Sequence, residues 1–349
     1  MKKILLIFGT RPEAIKLIPI IREFQKQNVE YDILNTNQHI EILEEVLSAE
    51  NVRANYKLSI CGKYTNIIDT KSAMLIQMRE VLRDKEYSSI IVQGDTLSAL
   101  VGAEYGFLRR IPIYHVEAGM RTYNLNSPYP EESFRRMIST MAAVHFCPSE
   151  EERKNLVNEG FLKEKIYTVG NTFVDYRKNT KLNVVVKKQI LITLHRRENI
   201  KYLDAMLKQI ADLAKENNTY TWFFPIHPNP ILIDLAEKHL GDISNVVLSK
   251  PLLSEDFYQE LLASELVISD SGGVQEECIL NSKKILIIRQ VSERKSDFDF
   301  TELVPPNEDI KERFYSLLNR KVIGGCNDYY GIGDSAEKIV QIILKEGVK

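Results

Sequence analysis

The feature that most constrains this chain is a rhythm of a short β-branched apolar run, a turn and an amphipathic helical stretch, repeated from end to end. The runs are ILLIF (4–8), YDILN (31–35), SIIVQ (89–93), IPIYHV (111–116), AVHFC (143–147), QILITL (189–194), YTWFFPI (220–226), NVVLS (245–249), LVIS (266–269) and KILII (284–288). Most are apolar at every position rather than at alternate ones. A strand of that kind belongs in a parallel sheet covered by helices on both faces. The intervening stretches, such as PEAIKLIPIIREFQKQ and EDFYQELLASE, space their apolar residues as helices do. About ten strands are more than one open sheet usually carries, and 349 residues suit two domains of ordinary size. The expectation is an α/β chain with two doubly wound halves. The polar, basic segment NTFVDYRKNTKLNVVVKK (171–188) is the natural divider. It predicts an N-terminal domain over 1–172, a linker over 173–187 and a C-terminal domain over 188–332. An amphipathic helix in 333–349, after a Gly-rich turn, is a candidate to pack back on the first domain.

Composition narrows the partners. With 44% hydrophobic and 27% charged residues and a net charge of −2, there is no broad basic field to favour nucleic acid or an anionic membrane. Any anion must be held by a local site. Cys61, Cys147, Cys278 and Cys326 are far apart and form no CxxC pair, so neither a zinc site nor a disulfide framework is expected. The N-terminus MKKILLIFGTRPEAIK has too short an apolar run for a secretory core or a membrane span. It reads as a buried first strand in a cytoplasmic protein.

In open α/β sheets ligands lie outside the carboxyl ends of the strands, so the residues just after each run deserve the closest reading. FGTRPEAIK offers a turn at Gly9, a cap at Thr10 and positive charge from Arg11 and Lys16 at a helix start, a possible phosphate site or an ordinary turn. ISDSGGVQEE places Ser271, Gly272 and Gly273 before a helix that carries Glu276 and Glu277. A Gly pair lets backbone amides approach an anion, and the glutamates can accept from ribose hydroxyls; the plainer reading is a Ser cap with dipole-complementing acids. In VQGDTLSA, Asp95 follows a strand and can serve as a helix cap. TLHRRENI puts His195 beside Arg196 and Arg197, either an acid–base group with phosphate-binding arginines or a surface salt-bridge cluster. PIHPNP adds His227 in a proline-stiffened loop, while His145, within an apolar run, reads as a core histidine.

Two carboxylates need separate treatment. In SPYPEESFRR, Pro130 suits the first helical position, and Glu131–Arg135 and Glu132–Arg136 are i, i+4 pairs, so a solvated helix face accounts for all four charges. Glu117, in YHVEAGMRTYN, ends a strand expected to be buried, where a carboxylate needs partners. Should the positions 95, 117, 131 and 195 converge, the crowded carboxylates would push at least one pKa upward, towards proton exchange near neutrality.

Taken in order, FGTRPEAIKLIPII, QGDTLSAL, HVEAGMRTYNLNSPYPEE, GNTFVD, LHRREN, PIHPNP and SDSGGVQEE resemble the non-hydrolysing UDP-N-acetylglucosamine 2-epimerases over nearly the whole chain. The resemblance implies two Rossmann-like domains facing across a cleft in a glycosyltransferase-B-like fold. It implies reversible C2 epimerisation of UDP-N-acetylglucosamine to UDP-N-acetylmannosamine for surface polysaccharides, by anti elimination of UDP to 2-acetamidoglucal and re-addition. Asp95, Glu117 and Glu131 become the acid–base candidates, with His195 near the departing diphosphate. Arg11, Lys16, Arg135, His227, Ser271, Gly272, Gly273 and Glu277 become the nucleotide and phosphate contacts. No metal or other cofactor is implied, and the family suggests homodimers. Gln38 and His39 match the QH motif of an allosteric substrate pocket, but Glu41 and Lys63-Tyr64 depart from it, which predicts weakened or absent activation. Phe134 stands where the family has Asn, and Lys295 where it has Pro. The alternatives are a hydrolysing 2-epimerase releasing N-acetylmannosamine, an epimerase of a related UDP-acetamido sugar, and a glycosyltransferase on the same scaffold.

Overall fold

The computed structural model describes residues 2–38, 41–178, 184–322 and 328–346. The chain forms two compact units, Met1–Thr180 with Asp328–Lys349 and Lys181–Asn327. The first holds strands β1 (Lys3–Phe8), β2 (Tyr31–Asn35), β3 (Tyr56–Lys57), β4 (Tyr87–Gln93), β5 (Ile113–Val116), β6 (Val144–Cys147) and β7 (Ile166–Thr168). All pair in parallel, in the order β3-β2-β1-β4-β5-β6-β7. The helices between them are α1 (Arg11–Lys26), α2 (Glu41–Ala49), α3 (Ile67–Val81), α4 (Leu97–Leu108), α5 (Glu131–Met141), α6 (Glu150–Asn158) and α7 (Thr172–Arg177).

β1 shows why its sequence is apolar throughout. Ile4, Leu6 and Phe8 point into one core with Leu17, Ile21 and Phe24 of α1, while Leu5 and Ile7 point into another with Ala99 and Val101 of α4. A period of two places successive side chains on opposite faces, and here both faces are covered.

The second unit repeats the plan with β8 (Gln189–Thr193), β9 (Thr221–Pro225), β10 (Val246–Ser249), β11 (Leu266–Ser269), β12 (Lys284–Ile288) and β13 (Thr301–Val304). These strands are also parallel, in the order β10-β9-β8-β11-β12-β13. Their helices are α8 (Leu203–Glu216), α9 (Pro230–Leu240), α10 (Ser254–Ala263), α11 (Gly272–Leu280) and α12 (Lys311–Asn319). Trp222, fully buried, stacks on Phe314 at 5.4 Å in this core.

The last helix, α13 (Ser335–Glu346), belongs to the first unit. Ala336, Ile339, Val340 and Ile343 enter the core beneath α1. Asp175 of α7 accepts from the Ala336 amide at 2.9 Å, and Glu346 accepts from Lys165 at 2.5 Å and Tyr167 at 3.1 Å. α7 itself runs through the segment whose polarity suggests a linker, with Phe173 and Val174 buried. Six residues with so few apolar positions are too short to show a helical period. β3, β7 and β13 lie at sheet edges and are short, so they lack the continuous apolar run of a central strand.

Strand order reverses between β1 and β4 in the first unit and between β8 and β11 in the second. Those are the places where turns diverge and leave room at the carboxyl edge. Among the described residues, no helix is long and apolar enough to cross a membrane. Cys61, Cys147 and Cys278 are free thiols. Cys326 lies outside the described residues.

Candidate active site

At the carboxyl edge of the first sheet, Asp95 is not a cap. Thr96 caps α4, its hydroxyl accepting from the Ala99 amide at 3.0 Å. Asp95, one residue earlier, accepts from Arg135 Nη1 at 2.9 Å. Arg135 is 1% exposed, and its Nη2 lies 3.2 Å from Glu132. Glu132 accepts in turn from the amides of Thr122 (2.9 Å) and Tyr123 (3.1 Å). The solvated-face reading of PEESFRR therefore fails for Glu132 and Arg135. They form an interior i, i+3 pair that ties α5 to the turn after β4 and to the loop after β5. Pro130 is the residue before the helix rather than its first, and Glu131 opens it, half-buried.

Glu117 directly follows β5 with φ at +64°, a conformation unusual for a residue with a side chain. Its Oε2 accepts from Lys16 Nζ at 2.5 Å and from the side-chain amide Nε2 of Gln93. Lys16 and Glu117 are 7% and 8% exposed. Lys16, expected from the resemblance at the nucleotide, is thus the buried counter-ion of an acid–base candidate. β4 and β5 are neighbours, with Gln93 opposite Val116, so Asp95 and Glu117 leave adjacent strand ends. The loop is held further along as well. Gly119 has φ at +93°, and a Cβ there would lie 2.3 Å from the Glu152 carbonyl oxygen. Arg121 grips Glu159 with two bonds of 2.8 Å.

At the α1 start the backbone donors of Gly9 and Thr10 are already taken within the chain. Glu13 Oε2 accepts from the amides of Gly9 (3.1 Å) and Thr10 (2.8 Å) and from the Thr10 hydroxyl (2.7 Å), so the chain's own carboxylate fills that position. Arg11 is half-buried in the first turn. Gln38 accepts from Ser98 at 2.9 Å beside the same turn; His39 lies outside the described residues. His115 bonds the Gly94 carbonyl at 2.8 Å, and burial lowers its pKa to about 3. His145 packs against Phe161 with the rings tilted and their centroids 5.1 Å apart, and its pKa is lowered to about 4, chiefly by burial, as for a core histidine. Phe134 turns into the apolar core with Ile138, which leaves it little surface for a ligand.

In the second unit His195, His227 and Ser271 follow β8, β9 and β11, three neighbouring strands, and Gly272 and Gly273, expected before the helix, are its first two residues. His195 and His227 stack at 5.7 Å. Asp270, fully buried, accepts from the amides of His195 (3.1 Å) and Arg196 (3.0 Å) and from Asn199 Nδ2 (3.1 Å). It binds the β8 turn to the β11 turn across the switch point. Desolvation lowers the His195 pKa, helped by His227 and Arg196 and opposed by Asp270. Ser271 precedes α11 without a side-chain capping bond. The two glycines differ: a Cβ on Gly272 would meet Arg294 Nη1 at 2.5 Å, whereas on Gly273 it would meet nothing nearer than 4.0 Å. Glu276 is buried against Arg294 Nε at 2.7 Å, which leaves Glu277 as the half-buried glutamate of the pair. Arg196 pairs with Glu198 at 2.8 Å, as the salt-bridge reading has it, and Arg289 with Glu293 at 2.5 Å.

Glu13, Gln93, Arg121, Asp270 and Arg289 carry no site role when read from the sequence, and Glu132 is read there only as half of a solvated pair. Asp270 had a signal, a carboxylate directly after an apolar run; Gln93, Arg121 and the far bond of Glu13 are identified only by partners 24, 38 and 83 positions away, whereas Arg289 meets Glu293 four residues on.

Two doubly wound parallel sheets, with acids at the carboxyl edge of one and a Gly-Gly helix start beside histidines and arginines at the other, define a glycosyltransferase-B-like α/β protein. Comparison with known proteins gives the narrower assignment. The family pattern of UDP-N-acetylglucosamine 2-epimerase matches residues 22–344. The chain belongs to the UDP-N-acetylglucosamine 2-epimerase family. It is 34% identical to the UDP-N-acetylglucosamine 2-epimerase of Neisseria meningitidis serogroup A, over 98% of this chain and 99% of that one. Among solved structures it is similar to the Neisseria meningitidis enzyme bound to UDP-GlcNAc, with a TM-score of 0.86 and 32% identity over 98% and 100% of the two chains. The Methanocaldococcus jannaschii enzyme in complex with UDP-GlcNAc and UDP gives 0.85 and 30%, over 99% and 100%.

Proposed function

We propose that this protein interconverts UDP-N-acetylglucosamine and UDP-N-acetylmannosamine without releasing the free sugar. Family membership sets the substrate class. The observation that carries the chemistry is that Asp95 and Glu117, at adjacent strand ends, are each held by a buried cation from another element, Arg135 and Lys16. A buried carboxylate such as Glu117 costs free energy to hold in place, and a binding module has no use for one.

In this reading a carboxylate among Asp95, Glu117 and Glu131 takes the C2 proton. The C1–O bond breaks, its electron pair leaves with UDP, and a C1–C2 double bond forms in 2-acetamidoglucal. Return of a proton to the opposite face of C2, with UDP oxygen rebonding to C1, completes the isomerisation with no net change in atoms. A C2 proton is weakly acidic, so departure of the diphosphate must lead, and the departing charge needs stabilisation. Ser271, Gly272 and Gly273 at the α11 start serve the pyrophosphate, with His195, His227 and Arg11 as further contacts and Glu277 on the ribose. A homodimer and a role in surface-polysaccharide synthesis complete the proposal.

The test is incubation with UDP-N-acetylglucosamine in heavy water, followed by NMR. Deuterium at C2 in both UDP-sugars, with UDP attached, is the expected result. Accumulating N-acetylmannosamine and UDP would establish the hydrolysing reaction instead. Sugar transfer to an acceptor with no deuterium at C2 would establish a glycosyltransferase.

A further inference from the structure

The turns at the switch point of the first unit meet on a side chain that the proposed chemistry does not use. Glu13 is 1% exposed. Its Oε2 accepts the three bonds from Gly9 and Thr10, in the turn after β1. Its Oε1 accepts from the Thr96 hydroxyl at 2.6 Å, in the turn after β4. β1 and β4 are the neighbouring strands between which the order reverses. A ligand usually lies near the corresponding crevice in such sheets; here a carboxylate of the chain itself bonds the turns on both sides. The surroundings are equally tight. A Cβ on Gly9 would lie 1.9 Å from Thr36 Oγ1 and 2.3 Å from Ser98 Oγ, and those two hydroxyls bond each other at 2.7 Å.

Each arm of this junction leads to an acid–base candidate. Thr96 is the residue after Asp95. Lys16, three residues along α1 from Glu13 and therefore one turn away, carries the buried contact to Glu117. A carboxylate this deeply buried is costly in its charged form, and desolvation raises the Glu13 pKa to about 7. Four donors from two helix starts offset that cost while pinning the turns to each other.

We propose that Glu13 is a positioning residue: through Thr10 and Thr96 it clasps the β1–α1 and β4–α4 turns, and so fixes the spacing between Asp95 and the Lys16–Glu117 pair. The effect on turnover rests on the epimerase reading; the clasp itself does not.

The experiment compares Glu13→Ala, which removes the clasp, with Glu13→Gln, whose carbonyl can accept from Gly9 and Thr10 while its amide donates to Thr96. Displacement of a catalytic group by about 1 Å costs on the order of 100-fold in rate. Glu13→Ala is therefore expected to lower kcat for C2 deuterium exchange about 100-fold, with KM and the Kd for UDP close to wild type. Glu13→Gln should recover most of that loss. Hydrogen exchange followed by mass spectrometry reads the clasp without catalysis: amides of residues 94–99 should exchange faster in Glu13→Ala than in wild type. Absence of C2 exchange in the wild type would overturn the epimerase reading and leave the amide measurement to judge the clasp. A Glu13→Ala protein with wild-type kcat and unchanged amide exchange would overturn the proposal, as would Glu13→Gln falling as far as Glu13→Ala. If Glu13→Ala does not fold, Thr96→Val cuts only the far arm and should lower kcat in the same direction; wild-type kcat there also overturns it.

Discussion

Lys16→Met tests whether the buried pair behind Glu117 holds the first unit together. The substitution keeps most of the side-chain volume and deletes the ammonium 2.5 Å from Glu117 Oε2. Both partners are more than nine-tenths buried, so the remaining carboxylate cannot recover its hydration. Removing one partner of a buried pair typically costs about 3–5 kcal/mol. Gln93 still donates to the same oxygen, which places the expected loss near the lower end, about 3 kcal/mol. For a unit of this size that corresponds to a fall in Tm of roughly 6–12 °C. The pair should also show coupling. Adding Glu117→Gln removes the buried charge that Lys16 had balanced, and the double variant is expected to recover about 2 kcal/mol or more relative to Lys16→Met. Urea and thermal unfolding by far-UV circular dichroism measure both quantities. Emission from Trp222, the only tryptophan, reports on the second unit and checks that its core is native. A Lys16→Met protein within about 0.5 kcal/mol of wild type, or a double variant no more stable than the single one, would refute the reasoning.

The remaining predictions concern the same carboxyl edge. Glu13 has its folded-state pKa raised from an ordinary 4.5 to about 7, chiefly by desolvation, so ionising it costs more in the fold than in the unfolded chain. The contribution is complete below about pH 4.5 and is lost as pH rises through 7, a swing of roughly 3 kcal/mol. Glu13→Gln removes the swing, so the wild type should lose stability relative to it between pH 5.5 and 8.5 in calorimetric melts; parallel pH curves would contradict this. Gly119→Ala must adopt a positive φ and place its Cβ against the Glu152 carbonyl, at an expected cost of about 2–4 kcal/mol in urea unfolding. Asp95→Asn and Glu117→Gln should each lower C2 deuterium exchange by several orders of magnitude while calorimetry still detects UDP binding. Turnover of Glu117→Gln at the wild-type rate would remove the role proposed for it.

Particular residues show how far the sequence can be read. Central strands were legible because burial on both faces forces an unbroken apolar run, as in ILLIF and KILII. The edge strand Tyr56–Lys57 was not, since two residues with one unpaired side need no such run. Glu117 could be flagged as a carboxylate in need of partners, but its cation stands 101 positions earlier, on α1. In PEESFRR the local i, i+4 rule is sound for an exposed helix and misleading here, because Arg135 turns inward to Asp95, 40 positions away. The same limit hid Glu13, whose carboxylate looks from TRPE like a first-turn acid and in the fold joins its own turn to Thr96, 83 positions on.

Periodicity and turn chemistry are local, and by themselves they determined two parallel sheets with helices between the strands and polar residues gathered at strand ends. Which of those ends adjoin depends on strand order, and strand order depends on how whole helices share a core. Only the tertiary structure therefore decided that Asp95 meets Arg135, that Glu117 meets Lys16, that Glu13 joins the turns after β1 and β4, and that the last helix belongs to the first unit. A charge is buried or solvated according to neighbours that the chain supplies from a distance, and that information appears only once the strands are set side by side.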